Sequence, residues 1–236
     1  MMHSPENRHP TEGMEGLADR LAPLRRTHGR IIVGLAGAPG AGKTTLASRL
    51  AELLGRDTVA TLPMDGFHLA HAELERLGLA DRKGALDTFD AYGFVALLRR
   101  IVQAEDEVVY APDFDRRVED PIAGSIPVSI SHSVVIVEGN YLLVDDTPWD
   151  QVRALLTTSW FLELDDLTRQ QRLAARHQRY GKTPRAAESR ALGNDQHNAD
   201  LVAQTAHRAD LIITMGTGSH HAPSLSTVDS LQNPEP

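Results

Sequence analysis

The run Gly37-Ala38-Pro39-Gly40-Ala41-Gly42-Lys43-Thr44 constrains this chain more than any other feature. It satisfies the pattern G-x-x-x-x-G-K-[ST] in full. The residues before it, Ile31-Ile32-Val33-Gly34-Leu35-Ala36, make an unbroken apolar run of the kind that a parallel sheet buries on both faces. The residues after it, Thr44 to Leu54, carry Leu46, Leu50, Leu53 and Leu54 at helical spacing. Strand, glycine-rich turn and helix in that order leave few folds open. Glycines in the turn let backbone N–H groups converge on phosphate oxygens, and the helix N-terminus adds partial positive charge. In such a cradle, Gly37 to Thr45 would hold the phosphates of a nucleoside triphosphate. Lys43 would reach the β- and γ-phosphates, and the Thr44 hydroxyl would ligate Mg²⁺.

The rest of the chain continues the alternation. A short helix is expected over Glu15 to Arg26, a strand over Thr58 to Leu62, and a helix over Ala91 to Val102 with Asp90 as its N-cap. Strands follow at Ser133 to Glu138 and Trp160 to Leu164, a helix at Asp165 to Tyr180, and a last strand at Ala209 to Ile213. Strands alternating with helices imply a parallel sheet covered on both faces, with ligands at the carboxyl ends of the strands. One domain is expected over residues 15–216, with loose segments at 1–14 and 217–236, which are poor in large apolar residues.

Composition narrows the function. The chain of 236 residues is 41% hydrophobic, enough for one sizeable core, and carries a formal net charge of −8. That acidic balance argues against a nucleic-acid partner, whose phosphates need a basic face. The absence of cysteine excludes disulfides, thiolate zinc sites and a thiol nucleophile, and suits a reducing cytoplasm. No apolar run approaches the roughly 18 to 20 residues of a membrane span, and the polar N-terminus does not read as a signal peptide. The expected partner is a small molecule; a homodimer stays open.

Several side chains then become candidates. Glu138 ends a buried strand at the expected ligand edge, where a carboxylate can hold magnesium. Asp65 closes the second strand at the same edge, in Pro63-Met64-Asp65-Gly66-Phe67-His68. Phosphorylating a hydroxyl needs a proton acceptor; Asp65 suits that role and could also touch the metal, the plainer alternative being a strand-to-loop turn, where Asp-Gly is common. His68 is a weaker candidate for the substrate side. Asp87, upstream of the helix cap Asp90, is free to accept bonds from substrate hydroxyls. The run Tyr110 to Arg116 suits a pocket wall and a simple loop with a tyrosine anchor equally. Arg169, Arg172 and Arg176, spaced i, i+3 and i+7, share one helix face and could close over a transferring phosphoryl group as a lid. A solvated charged face is the plainer alternative. Gly181-Lys182-Thr183-Pro184 would turn the far end of that lid, which spans about residues 165–195.

Taken together, the cradle, the Asp65 turn, Leu86-Asp87-Thr88-Phe89-Asp90, the Glu138-Gly139 pair and the arginine helix resemble the uridine kinase, pantothenate kinase and phosphoribulokinase family, from about Arg30 to Gly216. The resemblance implies an α/β P-loop fold with a five-stranded parallel sheet and a helical lid, and an ATP- and Mg²⁺-dependent kinase acting on a small-molecule hydroxyl. It implies Asp65 as catalytic base, with Lys43, Arg169, Arg172 and Arg176 acting on the phosphates. It also implies Asp87 and Tyr110, with His68 and Arg116 beside them, as substrate contacts, and Thr44, Asp65 and Glu138 at the metal. One departure bears on the substrate: where uridine kinases usually carry a histidine shortly after the pocket tyrosine, this chain has Asp115-Arg116-Arg117. The rival reading is a P-loop NTPase or GTPase with a regulatory or chaperone role. Against it stand the absence of Asn-Lys-x-Asp, of Leu-Ser-Gly-Gly-Gln and of any cysteine.

Overall fold

The computed structural model describes residues 13–216 and 225–229. Its centre is a six-stranded sheet built from β1 (Ile31–Gly37), β2 (Val59–Pro63), β5 (Val134–Gly139), β6 (Thr158–Glu163), β7 (Leu211–Met215) and β8 (Leu225–Asp229). The order is β2-β5-β1-β6-β7-β8. The first five strands run parallel, and β8 pairs antiparallel to β7 at the edge. The expected five-stranded parallel sheet is therefore present, with one added strand. That strand lies in the segment 217–236 expected to be loose, which is corrected for 225–229. Likewise Met14 opens the first helix; the remaining residues of both terminal segments lie outside the described ones.

Alternation along the two central strands divides the core. Ile31, Val33 and Leu35 of β1, with Val134 and Ile136 of β5, face one cluster; Ile32, Ala36, Val135 and Val137 face the other. On the first face pack α1 (Met14–His28) and α2 (Lys43–Leu54), through Leu17, Leu21, Leu46 and Leu50. On the second pack α4 (Ala91–Gln103), α5 (Asp150–Arg153) and α8 (Asn194–Ala203), through Phe94, Leu98, Val152 and Val202. Burial on both faces is what the unbroken apolar runs implied. Asp90 caps α4 as expected, accepting the Gly93 N–H at 2.8 Å.

Two features were not expected. After the short α3 (His71–Leu77), residues 108–129 form an antiparallel hairpin, β3 (Val108–Asp115) and β4 (Asp120–Ser129), separate from the main sheet. The run Tyr110 to Asp115 is thus a strand and not a loop. The expected lid helix, α6 (Asp166–Arg179), is followed by α7 (Pro184–Leu192), packed back on it across a turn that Thr183 caps by accepting the Ala186 N–H at 3.3 Å.

Candidate functional site

Strand register assembles the site. Glu138 of β5 lies opposite Leu35 of β1 on one side and Pro63 of β2 on the other. The glycine-rich turn after β1 and Asp65, two residues past Pro63, therefore emerge at the same edge as Glu138. Asp65 sits in a single 3₁₀ turn, Met64–Phe67. Gly66 follows because the hairpin closes over it: a Cβ there would stand 2.3 Å from the Pro112 carbonyl oxygen.

Lys43 is buried and donates to the carbonyls of Gly37 at 2.8 Å and Ala38 at 3.1 Å, and to Asn140 Oδ1 at 2.8 Å. Burial pulls its ammonium down to about 8, against Glu138 and Asp65, whose charges favour the protonated form. The Thr44 hydroxyl donates to Glu138 Oε1 at 2.7 Å. Burial pushes the Glu138 carboxyl up, only partly countered by Lys43. Asp65 behaves oppositely. Burial would raise its carboxyl too, but His68, Arg116 and Lys43 outweigh that and hold it below the ordinary carboxylate range. Its partner Arg116 stands at 3.2 Å, with the guanidinium over the rings of Phe114 and Tyr180. Arg116 thereby links the hairpin to the end of α6. His68 packs between the rings of Phe89 and Phe114 in tilted contacts, at centroid distances of 4.0 and 4.9 Å, and burial lowers its imidazole.

Three cavities meet at Asp65; one, about 610 Å³, opens between α2, β2 and the hairpin, and the other two lie against the lid helix. The larger of those two, about 700 Å³, runs over the cradle past Pro39, Gly40, Gly42 and Lys43 to Thr45, and includes Glu138. The smaller, about 370 Å³, lies between the hairpin and the lid and includes His68, Phe89 and Phe114. Pro39, Asp65, Arg116, Asn140 and Arg176 line both. Of the cradle, Gly37 and Ala38 contribute the carbonyls that hold Lys43, and the Ala41 side chain packs into the core.

The three arginines of α6 do not act alike. Arg172 and Arg176 line the larger cavity, and the Arg176 side chain makes no hydrogen bond or ion pair among the described residues. Arg169 is only 1% exposed. It pairs with Asp166 at 2.9 Å, meets Gln196, and points one N–H at the Pro39 carbonyl at 3.5 Å. It borders none of the cavities at Asp65; the helix crosses the cradle so closely that a Cβ on Gly40 would stand 2.9 Å from Leu173 Cγ. Its expected place over the phosphates is corrected to that of a fastener between lid and cradle.

Two substrate candidates are corrected as well. Asp87 pairs with Arg82 at 3.1 Å and borders none of these cavities, because the 3₁₀ turn Leu86–Thr88 directs it to the surface. Tyr110 is 61% exposed on β3, opposite Pro127, since alternation along the unforeseen strand turns it outward. Asn140 was visible two residues past Glu138 but carried no motif. Lys83, Arg190 and Asn198, which line the smaller cavity, come from segments without any motif.

Comparison with known proteins agrees with this geometry. The sequence model of a family described as AAA domain matches residues 33–193. The chain is 34% identical over 207 residues to a Schizosaccharomyces pombe protein provisionally named uridine kinase, covering 84% of this chain and 88% of that protein. It is 35% identical over 136 residues to the pantothenate kinase of a Nocardioides strain, covering 56% of this chain and 41% of that enzyme. Among solved structures, one from Silicibacter sp. TM1040, provisionally titled a fructose transport system kinase, is 40% identical with a TM-score of 0.70, covering 81% of this chain and 92% of that one. With a complete phosphate cradle, a carboxylate pair at the sheet edge and relatives of this kind, the chain belongs to the uridine kinase, pantothenate kinase and phosphoribulokinase family of P-loop kinases.

Proposed function

We propose that this protein transfers the γ-phosphate of ATP to a hydroxyl of a small molecule seated in the smaller cavity, with Asp65 as the proton acceptor. The observation that carries the reading is the position of Asp65 on the wall shared by the two cavities beneath the lid helix. The shared residues mark where a γ-phosphate in the one would face a hydroxyl in the other. Asp65, kept ionised, orients that hydroxyl and takes its proton as the new bond forms. Lys43, drawn toward the phosphates, and Arg176, which makes no close ion pair among the described residues, stabilise the charge spread over the transferring group. Arg172 at the rim adds to this when α6 closes over the cradle.

The Thr44 hydroxyl, Glu138 and Asp65 would hold Mg²⁺. These are all oxygen donors, as a hard cation requires, and Thr44 already lies 2.7 Å from Glu138. The described residues contain no cluster of three or more acids or histidines that would cage a metal alone. That suits a Mg²⁺ whose remaining ligands are water and nucleotide phosphates, and the ion would supply charge neutralisation there. No helix among the described residues is long and apolar enough to cross a membrane, and an ATP-rich cytoplasm suits the chemistry.

ADP release measured with and without a panel of hydroxyl compounds (nucleosides, sugars, sugar phosphates, hydroxy acids) tests the reading. Release should be slow alone and rise sharply with the right acceptor. Fast hydrolysis indifferent to every acceptor would replace the kinase by a plain NTPase.

A further inference from the structure

The smaller cavity has a cationic lining that phosphoryl transfer does not require. Arg116 and Arg176 belong to both cavities and can serve the transferring phosphate. Lys83, Lys182 and Arg190 line the smaller cavity alone. They stand there in a chain whose formal net charge is −8.

The acids of the same lining, Asp65, Glu119 and Asp195, are outnumbered by its five Lys and Arg side chains. Asp65 is engaged by Arg116 at 3.2 Å. Asp195 is shared between His177 at 2.7 Å and Arg190 at 3.7 Å. Glu119 meets Lys83 through its backbone carbonyl, and the one carboxylate near Lys83 Nζ is Asp120 at 3.3 Å. Arg190 donates to the backbone carbonyls of Asp81 and Lys83, which ties α7 to the Lys83 segment, while its buried Nε finds no hydrogen-bond acceptor. The Lys83 side chain is 14% exposed and that of Arg190 27%. Lys83 and Arg190 each have one carboxylate in reach, so the surplus positive charge of the lining rests on Arg176 and Lys182, which have no ion-pair partner among the described residues, and a ligand anion would offset it.

The donor chemistry points the same way. Ammonium and guanidinium groups only donate, so a ligand beside them must present acceptors. The lining also holds Asn140, Asn198 and carboxylates, so it is the excess of cations over acids that favours an anion. An oxyanion takes several N–H donors at once.

Building on the kinase reading, we infer that the acceptor is an anion: a hydroxyl compound whose carboxylate or phosphate group is held by Lys83 and Arg190 while its hydroxyl faces Asp65. The packed rings of His68, Phe89 and Phe114 form the wall along which its carbon chain lies.

The test separates this inference from the reading beneath it. The full-length protein is first saturated with Mg²⁺ and a non-hydrolysable ATP analogue, which fills the cradle. Inorganic phosphate and acetate are then titrated in separate arms at constant ionic strength. At least one should bind in the millimolar range, and the better of the two tells a phosphate acceptor from a carboxylate one. Lys83→Met should weaken that binding about tenfold, as for a lost charge-assisted contact, with analogue binding unchanged. Lys83→Arg should retain it, and Arg190→Met should repeat the loss should Lys83→Met fail to fold. The inference is overturned by absence of binding in both arms, or by equal binding to wild type and both Met variants. Acceptor-dependent ADP release with a neutral polyol, alongside no anion binding, would sink the anionic acceptor and leave the kinase standing.

Discussion

The two cavities that meet at Asp65 beneath the lid helix are built in different ways. The larger is floored by one local stretch, Pro39 to Thr45, and by the end of the neighbouring strand at Glu138 to Asn140, with arginines of α2, the hairpin and α6 around its rim. The smaller collects side chains from the Asp65 turn, the Lys83 segment, the hairpin, the end of α6 and α7 to α8, spread from Pro39 to Asn198. Phosphates are common to all nucleotides and are read by backbone, so one local motif serves every member of the fold. An acceptor is read by side chains on loops and lids, which vary independently. Changes in the first region should therefore damage the chemistry for any acceptor, and changes in the second should act on one acceptor at a time.

The largest expected effect is at the junction. Asp65→Asn keeps size and most hydrogen bonding but removes the proton acceptor, and should lower phosphoryl transfer by roughly 10² to 10⁴. ATP should still bind. Steady-state rates at rising Mg²⁺ concentration check the role, since excess metal rescues a metal ligand and not a missing base. Normal turnover in the folded variant would remove the link between the two cavities.

Next comes Lys43. Its ammonium, at about 8, sits below the ordinary lysine value because it is buried. Triphosphate charge must raise it, so nucleotide binding above pH 8 should take up a proton, and affinity should fall as pH rises through 8. Calorimetry in buffers of different ionisation enthalpy detects the proton. Lys43→Met should abolish the uptake and weaken binding by about 1.5–3 kcal/mol. A pH-independent affinity between 7 and 9.5 would contradict the buried, strained ammonium.

The lid arginines sharpen the comparison because one helix serves two ends. Arg176→Ala should lower the maximal rate, by about 10- to 100-fold if one charge-assisted contact is lost, with melting temperature little changed. Arg169→Ala should do the reverse. Removing its contacts to Asp166, Pro39 and Gln196 should cost stability of about 1–3 kcal/mol, with turnover per folded molecule mostly kept. Thermal melts and kcat on the same preparations check both.

The smallest effect is expected at the two displaced candidates. Asp87→Asn and Tyr110→Phe should each change stability by less than about 0.5 kcal/mol and leave kcat and KM for the acceptor as in wild type. A raised acceptor KM in either would mean that the smaller cavity extends to the surface turn or to the outer face of the hairpin.

Much of the fold was legible because its signals are local. The apolar runs at 31–36 and 133–138 report strands buried on both faces, and β1, β5, α2 and α4 lie within a residue or two of their expected bounds. The hairpin of 108–129 was not, since its strands are half exposed and interrupted by Pro112, Pro121 and Pro127, which mask the alternation. Helical spacing correctly placed Arg169, Arg172 and Arg176 on one stripe. It carried no information on how α6 crosses the cradle, and that crossing buries the first and leaves the other two at the cavity.

By itself the sequence determined the phosphate cradle, the parallel order implied by alternation, and the carboxylates at strand ends. Each depends on residues adjacent in the chain or on a repeat of two or 3.6. Only the tertiary structure decided which side chains surround the smaller cavity. Lys83 and Arg190 lie 107 positions apart and meet because α7 folds back on α6 and ties to the Lys83 segment. Contacts of that separation follow from how helices and hairpin pack on the sheet, and no periodicity in the chain encodes them.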